Sequence, residues 1–403
     1  MPSALPLGDP APEDGLLPES AAVHAADRDF GVYLHVPFCR VRCGYCDFNT
    51  YTATELRGVK QSDYASQAIL EVESGAAILD RSGVPQRPAS TVFFGGGTPT
   101  LLPAENLVRM LDAVKDNWGL APGAEVTTEA NPDSVDAEYL LALKAAGFTR
   151  VSFGMQSAVP HVLATLERTH NPENVPLVVQ WARDAGLDVS LDLIYGTPGE
   201  SDDDLLRSID TALEGGVDHI SAYALTVEEG TAMGRRVRRG EMAPTDDDVL
   251  AHRYEIADER LRAAGFDWYE VSNWSRPGGE CRHNMGYWDG GEWWGAGPGA
   301  HGYVDATRWW NVKHPNAYAQ ALAEGRLPVA DFERLDATAA HVEDVMLRLR
   351  LRRGLAADSL SEWERARAET AVGDGLLSIE ADRLVLTDRG RLLADAVVRT
   401  VLD

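Results

Sequence analysis

Cysteine is scarce in this sequence. Four occur among 403 residues, and three of them, Cys39, Cys43 and Cys46, fall within eight positions. A secreted domain stapled by disulfides spreads an even set along the chain, so this clustering excludes that design. It points instead to a reducing, cytoplasmic setting and a metal or cluster site. Long apolar runs are missing as well: no stretch approaches the roughly 18 residues that a transmembrane helix needs. Positive charge is in deficit, with 37 Lys and Arg against 63 Asp and Glu and a net charge of −26. Nucleic-acid binding draws on clustered Lys and Arg, so no nucleic-acid partner is expected. Two basic clusters do occur. Arg235, Arg236, Arg238 and Arg239 read as a solvated helix end, while Arg348, Arg350, Arg352 and Arg353 alternate with Leu or pair up in a structural pattern. Residues 1–29 are rich in Pro, Ala and acid, without a basic start or an apolar run, and read as a disordered leader rather than a secretory signal.

What is present is a repeat of alternating elements. Between 31 and 227, short apolar strands are expected at 32–36, 91–94, 125–129, 150–154, 188–194 and 219–225. Each is followed by a loop with Gly, Pro or Asn. Amphipathic helices follow at 63–79, 104–118, 137–146, 172–185 and 203–213. Strand–helix alternation with near-continuous Val, Ile, Leu and Phe strands predicts an α/β fold with a parallel sheet covered by helices. Six such units fit a partial (β/α)6 barrel, in which reactive groups gather at the carboxyl ends of the strands. The barrel is expected over 30–240. An aromatic and Gly-rich connecting region follows over 241–330, with a helix at 245–264, a strand at 268–272 and the run HNMGYWDGGEWWGAGPGAHGY. A smaller C-terminal α+β region over 331–403 carries a helix at 336–351, a β-hairpin and a last helix, and is expected to end winged-helix-like.

The segment YLHVPFCRVRCGYCDF places C-x3-C-x2-C directly after the first strand. Three thiolates on one short loop leave one iron of a [4Fe–4S] cubane without a protein ligand. The amine and carboxylate of S-adenosylmethionine (SAM) can chelate that iron, and electron transfer can then split the sulfonium to a 5′-deoxyadenosyl radical. The competing interpretation is a zinc site completed by His35 or a distant ligand, although no second Cys or Cys/His knuckle appears. FFGGGTPT follows the second strand; its Gly95, Gly96, Gly97 and Thr98 let backbone approach a ligand closely, as a plain tight turn also would. Polar residues then stand at the ends of apolar strands: Glu129 in VTTEANP, Gln156 in VSFGMQS and Asp192 in LDLIYGTPG. A carboxylate in a buried strand needs a partner. For Asp192 that partner is a ligand, or Arg168 of LERTH in a structural ion pair.

Taken together, YLHVPFCRVRCGYCDF, GGGTPT, TTEANP, GMQS, LDLIYGTPGE, YALTVEEGT, HNMGYW and GAGPGAHG resemble the oxygen-independent coproporphyrinogen oxidase group of radical SAM proteins. The resemblance is closer to its heme-chaperone branch and runs from about residue 31 to the C-terminus. It implies that Cys39, Cys43 and Cys46 ligate the cluster. It also implies that Tyr33, Tyr45, Gly96, Gly97, Thr98, Glu129, Gln156, Arg168, Asp192 and Ala224 contact SAM; in the oxidase some of these positions serve a second SAM. The oxidase pattern adds a fourth cysteine, C-x3-C-x2-C-x-C, where this chain has Phe48. HN-x-x-YW, here His283, Asn284, Tyr287 and Trp288, is associated with heme handling in the chaperone branch. A neutral imidazole is a good axial ligand for iron, and Tyr287, Trp293 and Trp294 could pack on a porphyrin. Cys281 and His301 are rival ligands, and an ordinary hydrogen-bonded core histidine is the plain alternative for His283.

Two functions from different classes follow. The first is a carrier that binds heme and delivers it to an acceptor protein, with transient contact with a membrane hemoprotein as one route, and with cluster and SAM in a supporting role. The second is an enzyme that decarboxylates two propionates of coproporphyrinogen III. Phe48 and HNMGYW favour the first. A radical SAM enzyme acting on RNA is disfavoured by the acidic charge.

Overall fold

The apolar runs fold into parallel strands close to their expected places. The computed structural model describes residues 7–403 apart from 11, 13, 25–27 and 57. Strands β1 (Phe30–Val36), β2 (Ala89–Gly96), β3 (Leu120–Ala130), β4 (Arg150–Gln156), β5 (Asp188–Tyr195) and β6 (His219–Ala224) pair in chain order, each parallel to the next. Helices Tyr64–Arg81, Ala104–Asn117, Ala137–Ala146, Asn174–Asp184 and Asp202–Glu214 lie between them. Their ends are written in the sequence. Asp136 accepts a hydrogen bond from Tyr139 N, and Gly147 closes that helix in the left-handed region at φ 103°, where a side chain would be strained. Ser201 and Asp204 form a reciprocal capping box, and Asp202–Asp204 places three acids at the positive end of the next helix.

The sheet continues beyond the expected barrel on both sides. Its order is β12-β11-β10-β9-β1-β2-β3-β4-β5-β6-β8-β7, with β7 Asp267–Glu270, β8 Asn273–Ser275, β9 Glu292–Ala296, β10 His301–Val304, β11 Thr307–Asn311 and β12 Val329–Arg334. β9 runs parallel to β1, whereas β10, β11 and β12 add antiparallel neighbours. The aromatic and Gly-rich region thus contributes strands to the main sheet. Its glycines mark close approaches: a Cβ at Gly295 would lie 2.0 Å from His301 O, and one at Gly302 would meet the Trp309 ring at 2.2 Å.

A buried carboxylate ties this extension to the barrel. Glu71, on the helix Tyr64–Arg81, accepts from Gly297 N (2.7 Å), Tyr318 Oη (2.6 Å) and Asn311 Nδ2 (2.6 Å). Burial raises its pKa to about 7, against the pull of those three donors. Described residues of the leader also make contacts: Asp9 exchanges backbone hydrogen bonds with Phe332, and the short helix Ala21–His24 buries Ala21.

At the C-terminus, β13 (Leu355–Ala356), β15 (Arg383–Leu386) and β14 (Leu377–Glu380) form a small antiparallel sheet in that order. It shares a separate core, including Val345, Leu349, Leu384 and Val397, with helices Ala337–Arg348, Glu362–Gly373 and Ala394–Leu402. No helix of the described residues is long and apolar enough to cross a membrane.

Candidate cluster and ligand site

The loop after β1 is pinned before any ligand is considered. Cys39 N donates to Tyr51 O (3.1 Å), Tyr51 N to Pro37 O (2.7 Å) and Gly44 N to Leu166 O (3.2 Å). On the next loop, Gly97 N and Thr98 N donate to Val36 O (2.8 Å) and Phe38 O (2.7 Å). The two loops are therefore laced together at the carboxyl ends of β1 and β2. Cys39, Cys43 and Cys46 are half-buried and free of disulfides. Burial, with smaller contributions from Cys46 and Cys43, pushes the Cys39 thiol up to about 12. Such a trio reaches the thiolate form when bound iron supplies compensating positive charge.

His35 is not available to complete a zinc site here. Its Nδ1 is hydrogen-bonded to Tyr33 Oη (3.0 Å) and its Nε2 to Asn49 O (2.9 Å). Nor are three His, Cys, Asp or Glu side chains among the described residues gathered as a single ion requires.

The strand ends complete a cavity of about 700 Å³, within the usual range for a small-ligand site. Every residue expected around the cluster and SAM lines it: the three cysteines, Tyr33, Tyr45, Gly96, Gly97, Thr98, Glu129, Gln156, Arg168, Asp192 and Ala224. Glu129 accepts from Gly96 N at 3.0 Å. Burial and then the charge of Asp192 raise its pKa to about 8. Asp192 accepts from Ser152 Oγ at 3.1 Å and from Ser221, while burial lifts it to about 6. The alternative of an Asp192–Arg168 ion pair is not formed. Arg168 donates to Gly154 O (2.5 Å) and faces Cys43 Sγ at 3.6 Å, so it stands beside the cluster loop. Gln156 sits at φ 63°, a strained backbone that turns the chain at the cavity rim.

His283 also lines this cavity, on the helix Arg282–Trp288. Both ring nitrogens are taken: Nδ1 by Thr91 Oγ1 (2.8 Å) and Nε2 by Tyr287 Oη (2.8 Å). The ring stacks on Phe93 at 5.1 Å, and burial lowers its pKa to about 3. The rival thiol of Cys281 is buried against Glu125 Oε1 at 3.5 Å. Phe48, at the mouth, is 60% exposed.

Sequence reasoning passed over a second set of lining residues: Thr127, Arg150, Ser152, Ser190, His219, Ser221 and Tyr223. A signal was there. In RVSFG, DVSLDL and HISAY the polar residues recur at every second position, which is how a strand presents one face to a polar interior.

The radical SAM superfamily model matches residues 33–212, and the HemN C-terminal domain model matches 335–393. The heme chaperone HemW of Mycobacterium tuberculosis (strain H37Rv) is 63% identical over 374 residues, covering 93% of this chain and 95% of that protein. This chain belongs to the HemW family. HemW of Escherichia coli K12 is 33% identical over 389 residues, covering 92% and 97% of the two chains. Among solved structures, the coproporphyrinogen III oxidase HemN from Escherichia coli, described as a radical SAM enzyme, superposes with a TM-score of 0.80. At 20% identity over 95% of this chain and 92% of HemN, it shows a shared fold.

Radical SAM membership implies a [4Fe–4S] cluster and SAM, and the residues in hand fit both. Besides the cysteine trio, Thr127 Oγ1 and Arg168 Nε are buried on the cavity wall with no protein hydrogen bond. Gly97 leaves no room for a side chain beside the loop, since a Cβ would lie 2.5 Å from Phe38 O. When bound, the pair supplies electron transfer into the sulfonium of SAM. Around such a group, Gly97 and Thr98 brace the loop through their backbone bonds, the Arg168 guanidinium would balance its negative charge, and Glu129 and Asp192 would offer carboxylates to cationic or hydroxyl groups.

Proposed function

We propose that this HemW-family protein binds heme and transfers it to an acceptor protein, with cluster and SAM supporting assembly of the carrier. The observation that carries this reading is the 63% identity, across nearly full length, to a protein named as a heme chaperone. Phe48 supports it, because the oxidase pattern calls for a fourth cysteine there. With no membrane-crossing helix among the described residues, an acceptor embedded in a membrane would have to be met from outside the bilayer. Three free, clustered thiols suit a reducing compartment such as the cytoplasm.

Anaerobic incubation of the reconstituted protein with coproporphyrinogen III and SAM is expected to yield no protoporphyrinogen. Hemin is expected to bind at one per chain and to move to an apo-hemoprotein on mixing. Protoporphyrinogen formation would overturn the carrier reading.

The SAM residues carry a pH signature. We place the Glu129 carboxylate against a donor of SAM, so ionised Glu129 is the binding form. With its pKa near 8, the free protein must shed a proton below that value to bind. SAM affinity is therefore expected to rise roughly five- to tenfold from pH 6.5 to 7.5. Isothermal titration checks this, and E129Q should bind more weakly with a flatter profile.

A further inference from the structure

The residues expected around SAM occupy only part of the cavity wall. Toward the other end, where the strands begin, stand Arg150, Ser190 and His219, which neither the cluster loop nor SAM accounts for. They are buried, at 4%, 2% and 2% exposed. Arg150 opens the seven residues of β4 and Gln156 closes them, roughly 20 Å further along the strand. A second cavity of about 1490 Å³ shares Tyr33 and Phe48 with the first but none of these three residues. We propose that Arg150, Ser190 and His219 form a binding site, separate from that of SAM, for the carboxylate of a small organic acid.

The strand register gathers the three. Ser190 pairs with His219 across β5 and β6, and Arg150 Nη1 donates to Ser190 Oγ at 3.0 Å. His219, Ser221 and Tyr223 alternate along β6 and all line the cavity, so the His219 ring is presented to the interior. Its tautomer is set from behind. Tyr269 Oη accepts from Cys281 N (3.2 Å) and gives its own proton to His219 Nε2 (2.8 Å). The imidazole proton is then on Nδ1, which has no hydrogen bond to the described residues. Burial, helped by the charge of Arg150, keeps this ring neutral.

Arg150 is braced in the same way. Its Nη2 donates to Gly279 O (2.7 Å) and Glu280 O (3.1 Å), while Nε lies 3.6 Å from Glu125 Oε2 without a hydrogen bond. Glu125 is not part of the cavity lining; it is turned to the amides of Arg282 and His283. The cavity therefore meets the cation and not its counter-ion. Ser190 Oγ, having accepted from Arg150, still has a proton to give. Buried donors left unpaired are costly, and the two oxygens of a carboxylate can take several at once beside a guanidinium. Asp192 stands two residues beyond Ser190 on β5, roughly 7 Å away, which sets the acid's head apart from that carboxylate.

The test is calorimetric titration of the cluster-reconstituted full chain with sodium propionate in HEPES buffer, without and with saturating SAM. One propionate per chain is expected in both cases. Propionamide, of the same size without the charge, should bind at least tenfold more weakly. H219Q keeps an acceptor for Tyr269 Oη and removes the proton on Nδ1, and S190A removes the hydroxyl. Each is expected to weaken propionate at least fivefold, while SAM affinity and the melting temperature stay close to native. Absence of saturable propionate binding overturns the proposal. So does competition between propionate and SAM, which would put SAM's own carboxylate at this end of the cavity. Native propionate affinity in either variant overturns it as well, as does phosphate binding as tightly as propionate.

Discussion

Serine at Cys43 is expected to abolish the iron–sulfur cluster, with iron and sulfide after anaerobic reconstitution at least tenfold below the native protein. The reason lies in how little freedom the loop has. Cys39 is fixed by its backbone bond to Tyr51, and the Cys46 amide donates to Cys43 O at 3.2 Å. Gly44 N donates to Leu166 O and Gly44 O accepts from Met233 N, so the turn bearing Cys43 is clamped from both sides. No other cysteine can be drawn in as a substitute: the fourth, Cys281, is buried against Glu125. A serine hydroxyl is far too weak an acid to replace a thiolate at pH 7, and two remaining thiolates do not hold a cubane. Iron and acid-labile sulfide assays measure the outcome. C281S, which leaves the trio intact, should retain its iron.

The second large effect is expected from a single methyl group. In G97A the new Cβ would fall 2.5 Å from Phe38 O and 2.9 Å from both Phe38 C and N. All three are backbone atoms of the cluster loop, so no flexible side chain can give way. The peptide between β1 and the cysteines must move, and with it the bonds from Gly97 N to Val36 O and from Thr98 N to Phe38 O. Overpacking of this kind costs about 1–3 kcal/mol, and here the strain falls on the ligand loop. G97A should melt several degrees lower, lose its cluster faster in air and bind SAM at least tenfold more weakly. G373A is the matching control. It lies in the helix Glu362–Gly373 with nothing within 4 Å of the added Cβ, and alanine there should be neutral or slightly stabilising.

The barrel was legible because each strand keeps at least its helix-facing side apolar and each covering helix is apolar on one face. Those two periods delimit the helix Ala137–Ala146 to the residue and most other elements to within two or three. The place of the cysteine loop was legible because its three closely spaced cysteines directly follow the first apolar strand. What escaped reading is instructive. β9, β10 and β11 are short, and Gly295 in β9 and Gly302 in β10 serve close backbone and ring approaches rather than a turn. The pairing of β9 with β1 joins residues about 260 apart, and no local pattern announces such a neighbour. Arg168 was read as a possible partner of Asp192, but serine hydroxyls on adjacent strands take that carboxylate. Two neutral donors of that size leave too little local signal to choose them over an arginine.

Tyr33 and Phe48 belong to two cavities at once. A common wall is a thermodynamic link as well as a boundary. If filling one side shifts either ring, the affinity of the other side changes, and the factor must be the same in both directions. Filling of the first cavity and filling of the second would then be two readings of a single coupling free energy. To that wall Phe48 adds bulk and no metal chemistry, at the position where the oxidase pattern has a thiol.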